Sequence, residues 1–287
     1  MPELAEVEFF RKRWDHAARG RRVTAVRLHP HAKIFRGTSP STLRHALTGA
    51  VLESSDAAAK QMLFRFSDEI WLGVHLGMSG ELRVEPAGCP AGRHDHLVLD
   101  TAKHALVFND PRMFGRVLLH RGAEPPVWWT KIAPPILSAA FTPAAVREFL
   151  HRRGRAPIKA VLLMQERFPG IGNWMADEIL WRAGIHPRTA AGSLTEAQSK
   201  TLWREARHVC RMALDTIAGR GRSLPRDLNV NIPDTWLFHH RWQPGGRCPR
   251  TGVLLERAEI GGRTTCWSPA RQPAPPRAPR PRPAARS

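Results

Sequence analysis

The sequence lacks the features that would place it in a membrane or outside the cell. No apolar run approaches the length of about 18 residues that a membrane-spanning helix needs. Only four cysteines are present, at irregular positions, which is not the spacing of a disulfide framework. The N-terminus is acidic and has neither the basic nor the apolar region of a signal peptide. These absences predict a soluble intracellular protein.

Acidic residues are also scarce. The chain has 44 Lys and Arg against 25 Asp and Glu, which gives a formal net charge of +19. The last twenty residues, 268–287, contain five Arg, seven Pro and no acid, so the rest of the chain still carries 19 − 5 = +14. Basic charge on the body as well as on the tail is typical of a surface that binds phosphates. We therefore expect an acidic polymer as partner.

The first 121 residues read as one helix followed by a β-sandwich. Leu4, Val7, Phe10 and Trp14 recur at helical intervals, and Gly20 supplies a stop. Short runs rich in Val, Leu and Phe follow at the spacing of a sandwich. The predicted strands are residues 22–28, 61–66, 69–75, 96–100, 105–109 and 116–120. Residues 1–121 are therefore predicted to form one domain.

The composition changes near residue 122. Residues 122–138 form a Pro-rich linker, and four helical segments follow at about 142–153, 158–165, 174–183 and 195–219. Residues 139–234 are thus a helical domain, and residues 235–268 return to strands around a Gly261-Gly262 turn. From Ser268 onward the Pro and Arg content leaves nothing to pack, so residues 269–287 are predicted to be a disordered tail. The predicted fold class is α+β.

The N-terminal residues suggest a nucleophile. Removal of Met1 would turn Pro2 into a free secondary amine beside Glu3 and Glu6. An α-amine titrates near pH ~8, so a neutral fraction exists at pH 7 and can attack a sugar C1′ to form a Schiff base. The alternative is an ordinary helix start, since Pro and Glu are both favoured in a first turn. The residue types alone leave both interpretations open.

A Gly-rich turn at residues 168–173 (FPGIGN) runs into a predicted helix. Such a turn presents free backbone N–H groups to an anion, and a phosphate would fit there. The alternative is a helix-turn-helix corner in which glycine serves only the turn.

Five ordered motifs resemble the formamidopyrimidine-DNA glycosylase and endonuclease VIII family of base-excision enzymes. They are residues 2–8 (PELAEVE), 75–80 (HLGMSG), 109–115 (NDPRMFG), 171–187 from IGN to GIHP, and 260–264 (IGGRT). The resemblance extends from residue 2 to about 268. It implies a helix-two-turn-helix fold and a bifunctional DNA glycosylase and AP lyase, which removes oxidised bases and cleaves by β,δ-elimination.

The resemblance also implies catalytic roles. Pro2 would attack C1′ of the damaged nucleotide, and Glu3 would donate a proton to the opening sugar ring. Glu6 would support them from the first helical turn, and Lys60 would contact a phosphate beside the lesion.

The remaining matched positions would bind DNA. Met78, Arg112 and Phe114 would fill the void that the flipped nucleotide leaves. Another three residues, Lys159, Asn173 and Arg263, would clamp phosphates without reading sequence. The implied partner is double-stranded DNA with an oxidised base or an abasic site. We expect a monomer in the cytoplasm, associated with the nucleoid if the cell is bacterial, and the resemblance implies no cofactor.

The sequence departs from the family at the C-terminal finger. Relatives with zinc have the spacing C-x2-C-x16-C-x2-C, a strong tetrahedral pattern. Counted from Cys248, the other three positions fall on Thr251, Ser268 and Arg271, so one ligand remains. The sequence therefore resembles the zincless branch, and no metal is expected. Packing of Val253, Leu255 and Trp267 would hold the hairpin instead.

Smaller departures keep other functions open. Ala5 replaces the usual second Pro, Met113 stands where many relatives have Arg, and Trp174-Met175 replaces the common Ile-Tyr. A protein that binds damage or abasic sites without efficient excision is one alternative, and a general architectural DNA binder is another. Residues 219–234 do not clearly resemble the loop that covers 8-oxoguanine in some relatives. Oxidised purines, formamidopyrimidines and oxidised pyrimidines therefore all remain candidate substrates.

Overall fold

Helix α1 (Leu4–Ala18) is the central element of the N-terminal half. The computed structural model describes residues 2–35 and 37–275. Val7, Phe10 and Trp14 are buried on the face of α1 that the sequence periodicity predicts. Glu6 Oε2 accepts the N–H of Glu3 at 3.2 Å, which satisfies one of the free donors at the helix start. The helix packs against both sheets described next.

Two four-stranded antiparallel sheets form the sandwich. One has the order β1-β6-β7-β5 and the other β2-β3-β4-β8. The strands are β1 (Ala25–Leu28), β2 (Leu52–Ala58), β3 (Gln61–Phe66), β4 (Ile70–His75), β5 (Glu81–Pro86), β6 (Asp95–Asp100), β7 (His104–Asn109) and β8 (Arg116–Arg121). Trp14 of α1 lies against Phe64 of β3 with ring centroids 5.2 Å apart. The sandwich core is therefore organised around α1.

The sequence predicted six of these eight strands and missed three elements. Helix α2 (Pro40–Leu47) was missed, as were β2 and β5. Strand β2 carries Glu, two Ser and Asp, and only Leu52 and Ser55 are buried. Strand β5 alternates, but Leu82 is its one buried side chain. Each lies on a sheet surface with little apolar signal, so tertiary pairing decides its conformation.

The second half contains the predicted helices. They are α4 (Pro143–Arg152), α5 (Ile158–Leu162), α6 (Asn173–Ala183) and α7 (Glu196–Ala213), after a short α3 (Val127–Thr130) in the linker. Thr195 caps α7, since its Oγ1 accepts the Gln198 N–H at 3.2 Å. The chain leaves α7 through a π-helical turn, Leu214–Ala218. Lys12 of α1 donates hydrogen bonds to Ala218 O (2.9 Å) and Gly219 O (2.6 Å), which joins this exit to the first half.

The region 235–268 is less regular than predicted. It contains one short 3-10 turn, Leu237–His240, and one hairpin of β9 (Glu256–Ile260) and β10 (Arg263–Trp267) around Gly261 and Gly262. The expectation that Val253 holds the hairpin is wrong, because this side chain is 41% exposed. A small buried cluster of Trp181, Leu237 and Cys248 lies at its base, with Leu255 packed against it.

The start of the tail packs, which corrects the expectation that nothing after Trp267 does. Gln272 is 1% exposed, and its side chain donates to Ile185 O and accepts from the Ser268 N–H, both at 2.9 Å. Apolar content alone therefore underestimated this segment, because Gln272 is fixed by hydrogen bonds. The rest of the predicted disordered tail, residues 276–287, lies outside the described residues. Within the described part of the chain, no helix is long and apolar enough to cross a membrane.

Truncation after Trp267 should destabilise the protein relative to truncation after Pro275. The shorter chain loses both buried Gln272 hydrogen bonds. At about 1 kcal/mol each, and roughly 2 to 4 °C of Tm per kcal/mol, we expect a Tm lower by roughly 4 to 8 °C. Differential scanning calorimetry measures the difference. Equal Tm values would show that the packed segment contributes nothing.

Candidate reaction site and nucleic-acid interface

The Glu3 carboxylate lies buried at the N-terminus of α6. Its Oε2 accepts the N–H groups of Gly172 (2.8 Å) and Met175 (3.1 Å), and its Oε1 accepts the N–H of Trp174 (2.9 Å). These are the free donors of the Gly-rich turn, at the positive end of the helix dipole. The turn does bind an anion, but the anion is Glu3 of the same chain and not the expected phosphate.

Two glycines make this close approach possible. A Cβ on Gly172 would lie 2.4 Å from Glu3 Cδ, so any side chain there would displace the carboxylate. Gly170 has φ +87°, which favours glycine, and its carbonyl accepts the Leu4 N–H at 3.0 Å. The turn thus fits the first residues of α1 through backbone contacts on both sides.

Glu6 lies beside Glu3 and is also buried. Its Oε1 accepts the indole N–H of Trp174 at 2.8 Å. Burial raises the pKa of Glu3, and the negative charge of neighbouring Glu6 raises it further. Lys60 and the backbone N–H donors lower the pKa, but less strongly, so the pKa of Glu3 is about 7. Burial raises the pKa of Glu6 as well. Glu3 can therefore carry a proton for much of the time at neutral pH, as a general acid must.

Lys60 follows β2 in a turn where Ala59 has φ +55°. Burial lowers the pKa of the Lys60 ammonium. The charge of Arg263 lowers this pKa as well, whereas the carboxylate of Glu3 raises it. Lys60 lines a cleft of about 620 Å³ together with His75 and Arg116. Glu3 and Lys60 are thus close enough to affect each other's pKa, and Pro2 precedes Glu3 in the chain.

His75 is a candidate that the sequence reasoning missed. Its Nδ1 accepts the N–H of Gly77 at 3.1 Å. Burial, with the nearby charges of Arg116 and Lys60, lowers its pKa. The neutral ring must then carry its proton on Nε2, which makes it a donor in the same cleft. The signal was available, since His75 opens one of the five motifs.

Met78, Arg112 and Phe114 lie together on two adjacent loops. Met78 is 39% exposed and Phe114 is 49% exposed, although both are large and apolar. The Arg112 guanidinium lies 4.8 Å from the Phe114 ring centroid. The three side chains thus form one protruding group.

Asp110 and Gly77 hold these loops together. The fully buried Asp110 accepts the Ser79 hydroxyl and the Gly115 N–H, both at 2.7 Å. Gly77 has φ +64°, and a Cβ on it would lie 2.4 Å from the carbonyl carbon of Phe114. The protruding group therefore stands on a tightly connected base.

Asn173 connects α6 to the hairpin. Its side-chain N–H donates to Thr264 O at 2.9 Å. Next to Thr264, Arg263 is exposed at the start of β10. A Cβ on Gly261 would lie 2.7 Å from Ala160 Cβ, so the turn also packs directly on α5. The structure thus brings Asn173 and Arg263 together.

The structure places Lys159 away from the surface, in contrast to the expected phosphate contact. Its side chain is 0% exposed, and Nζ donates to Asp177 Oδ1 at 2.6 Å and to Asn173 O at 2.7 Å. The second carboxylate oxygen, Asp177 Oδ2, accepts from Arg241 at 2.6 Å and from the Cys266 N–H at 3.1 Å. The Lys159 ammonium is therefore occupied inside the protein and fixes α5 to α6.

The chain matches two domains of one known family. Residues 1–117 match the formamidopyrimidine-DNA glycosylase N-terminal domain, and residues 132–223 match its H2TH domain. The formamidopyrimidine-DNA glycosylase of Geobacter sulfurreducens is 37% identical over 284 residues, which cover 95% of this chain and all of that protein. The Laribacter hongkongensis enzyme of the same name is 36% identical over 281 residues, with the same coverage.

Solved structures of similar proteins contain DNA. A complex of wild-type Lactococcus lactis Fpg with DNA containing an oxidised pyrimidine has a TM-score of 0.83 and 26% identity. A complex of Lactococcus lactis Fpg with DNA containing an abasic site has a TM-score of 0.82 and 26% identity. Both matches cover 95% of this chain and 100% of the other.

Replacement of Asp177 by Asn should strongly destabilise the fold. It leaves Lys159 and Arg241 buried without their counter-ion, which is expected to lower the free energy of unfolding by roughly 3 to 5 kcal/mol. The control is Glu196→Gln, since Glu196 pairs with Arg147 at an exposed site and should contribute less than about 1 kcal/mol. Urea denaturation measures both. Equal losses would mean that the buried cluster is not a stabilising centre.

Proposed function

The chain belongs to the formamidopyrimidine-DNA glycosylase family, and on that premise we propose how its residues remove a damaged base from DNA and cleave the strand. The protein is a base-excision repair DNA glycosylase with AP lyase activity. The observation that carries the assignment of roles is the buried Glu3 acid, next in sequence to Pro2 and electrostatically coupled to Lys60 and Glu6. The residue roles below rest on this arrangement.

Pro2 is the nucleophile once Met1 has been removed. Its neutral secondary amine attacks C1′ of the damaged nucleotide and forms a C–N bond. The leaving base takes the electron pair of the glycosidic bond and a proton. The attacking nitrogen gives up its proton, and C1′ of this first adduct is bonded to both the Pro2 nitrogen and O4′.

Glu3 supplies the proton that opens the sugar ring. The C1′–O4′ bond breaks toward O4′, which takes the proton from Glu3, while the nitrogen lone pair forms the C1′=N bond of an iminium ion. The raised pKa of Glu3 keeps this proton available near pH 7. The three backbone N–H groups of α6 then stabilise the carboxylate that remains. One carboxyl group can therefore alternate between acid and base.

Two eliminations follow from the iminium ion. Loss of a C2′ proton with departure of the 3′ phosphate is the β-elimination, and loss of the C4′ proton with departure of the 5′ phosphate is the δ-elimination. Glu3 can accept and return the protons of these steps. Water finally hydrolyses the iminium bond and restores the Pro2 amine, so a one-nucleotide gap remains.

Met78, Arg112 and Phe114 replace the flipped nucleotide. Flipping costs a few kcal/mol of stacking and pairing. An exposed aromatic ring and a thioether can fill the resulting space, and the guanidinium can donate to the unpaired opposite base. Exposure of Met78 and Phe114 on a firmly held base supports this role.

A separate group of residues is assigned to bind the phosphates near the lesion. Lys60, His75, Asn173 and Arg263 carry donors on one side of the reaction site, and phosphate contacts of this kind position a duplex without reading its sequence. Lys159 acts indirectly, because its ammonium holds the carbonyl of Asn173. We therefore assign Lys159 a positioning role in place of the expected phosphate contact.

We further propose that the substrate is double-stranded DNA with an oxidised base or an abasic site, and that the protein acts as a monomer. A cytoplasmic location, at the nucleoid of a bacterial cell, follows from that substrate and from the bacterial relatives. The proposed domain limits remain 1–121, 139–234 and 235–268.

Borohydride should trap a covalent protein–DNA adduct at Pro2. The substrate is a duplex with one abasic site, and peptide mass spectrometry locates the adduct. Pro2→Gly should weaken trapping, since a primary amine replaces the secondary one. Glu3→Gln should abolish excision of an oxidised base yet retain part of the cleavage at preformed abasic sites, where no glycosidic bond is left.

Three outcomes would contradict this assignment. An adduct on Lys60, or an active preparation that retains Met1, would show that Pro2 is not the nucleophile. Specific binding of the abasic duplex with no trapping and no cleavage would instead identify a damage-binding protein.

Glu6→Gln should move the pH dependence of base excision. Removal of the neighbouring negative charge makes ionisation of Glu3 easier and lowers its pKa. The proton is then lost at lower pH, so the alkaline limb of single-turnover excision should move down by about one pH unit. Glu8→Gln is the matched control, because Glu8 pairs with Arg11 at 2.6 Å. A limb that stays in place or moves up would contradict the role of Glu3 as acid.

A further inference from the structure

The four positions of the family's zinc pattern converge in the folded chain. Cys248 and Arg271 both contact Trp181 of α6, since the indole N–H donates to the thiol and Arg271 donates to Trp181 O at 3.4 Å. The Thr251 N–H donates to Cys248 O at 3.3 Å, and the Arg271 N–H donates to Ser268 O at 3.0 Å. The Ser268 side chain is fully buried, and its hydroxyl has no hydrogen-bond partner among the described residues. The geometry of a four-position centre is therefore retained.

This donor set does not fit zinc. Structural zinc is held by four S, N or carboxylate O ligands, and these positions offer one sulfur and two neutral hydroxyls. The fourth position, Arg271, is permanently cationic and has no lone pair for a metal. A cation at this point would be repelled by a charge that the protein already carries there.

Trp181 of α6 contacts the Arg271 guanidinium. Its indole N–H donates to Cys248 Sγ at 3.4 Å. The guanidinium groups of Arg250 and Arg271 lie 4.7 and 5.2 Å from its ring centroid, within the range of cation–π interactions. Trp181 therefore contacts the thiol through its polar edge and the cations through its ring.

We propose that Cys248, Thr251, Ser268 and Arg271 form a metal-free centre in which a tethered guanidinium and polar donors replace the zinc ion. The centre fastens the hairpin to α6 and so positions Arg263. It is a property of the fold and does not depend on the proposed reaction.

A gain of metal binding tests the geometry directly. The triple variant T251C/S268C/R271C restores the full C-x2-C-x16-C-x2-C pattern. We expect it to bind one zinc ion per chain by elemental analysis and to show the thiolate absorption of tetrahedral cobalt when Co²⁺ is added. Zinc at 1,000 times its Kd should raise Tm by roughly 8 to 16 °C. The same variant with C248A is the control and should bind far more weakly.

Two results of this experiment would overturn the proposal. A folded triple variant that binds neither zinc nor cobalt would show that the four positions do not converge. Stoichiometric zinc in the wild-type protein would show that the centre is not metal-free.

A double-mutant cycle tests the centre in the wild-type background. C248A and R271Q should each lower Tm, and R271Q should lower it much less when C248A is already present, because the two groups act together. C266A with R271Q is the matched control and should be additive. R271Q should also weaken duplex binding and reduce its salt slope if Arg263 is displaced. Additive losses for Cys248 and Arg271 would contradict the proposal.

Discussion

The contact between the Glu3 carboxylate and the first turn of α6 is the interaction on which the rest of the molecule depends. It joins the first residues of the sandwich half to the helical half through three hydrogen bonds from backbone N–H groups. An ionised carboxylate at a helix start is favourable, but burial opposes ionisation. The pKa near 7 results from this competition. The same contact therefore joins the two halves and, in the proposed mechanism, keeps a proton on the acid.

The sequence predicted the fold class, and it placed the proposed site residues in motifs that lie at element ends. Pro2, Glu3 and Glu6 share one turn, and the position of Lys60 follows from the strand that it opens. The anion at residues 168–173 could not be predicted, since a Gly-rich turn reveals free donors but not their partner. Likewise, the sequence predicts that Lys159 is a surface cation. In the structure, the packing of α5 on α6 places Asp177 next to it. Long-range pairing decided both cases.

The hairpin is held at several separate points along its length. Zinc stabilises a small finger because the apolar area of such a segment is too limited to fix it alone. Here the hairpin region packs on the buried Trp181, and Gly261 contacts Ala160. The Cys266 N–H also donates a hydrogen bond to the Asp177 carboxylate. These contacts are distributed along the hairpin, whereas zinc would act at a single point. Arg263 is thus held from its base and from its turn.

The protruding group of Met78, Arg112 and Phe114 lies on two loops that are fixed to each other. Exposed apolar side chains that lie next to each other often mark a surface that binds a partner. Ordering of flexible loops would add an entropic cost to the few kcal/mol of base flipping. Asp110 and Gly77 join both loops in the structure, so the proposed role requires little ordering of these loops when DNA binds. In that role, binding energy from phosphate contacts can be used to deform the DNA.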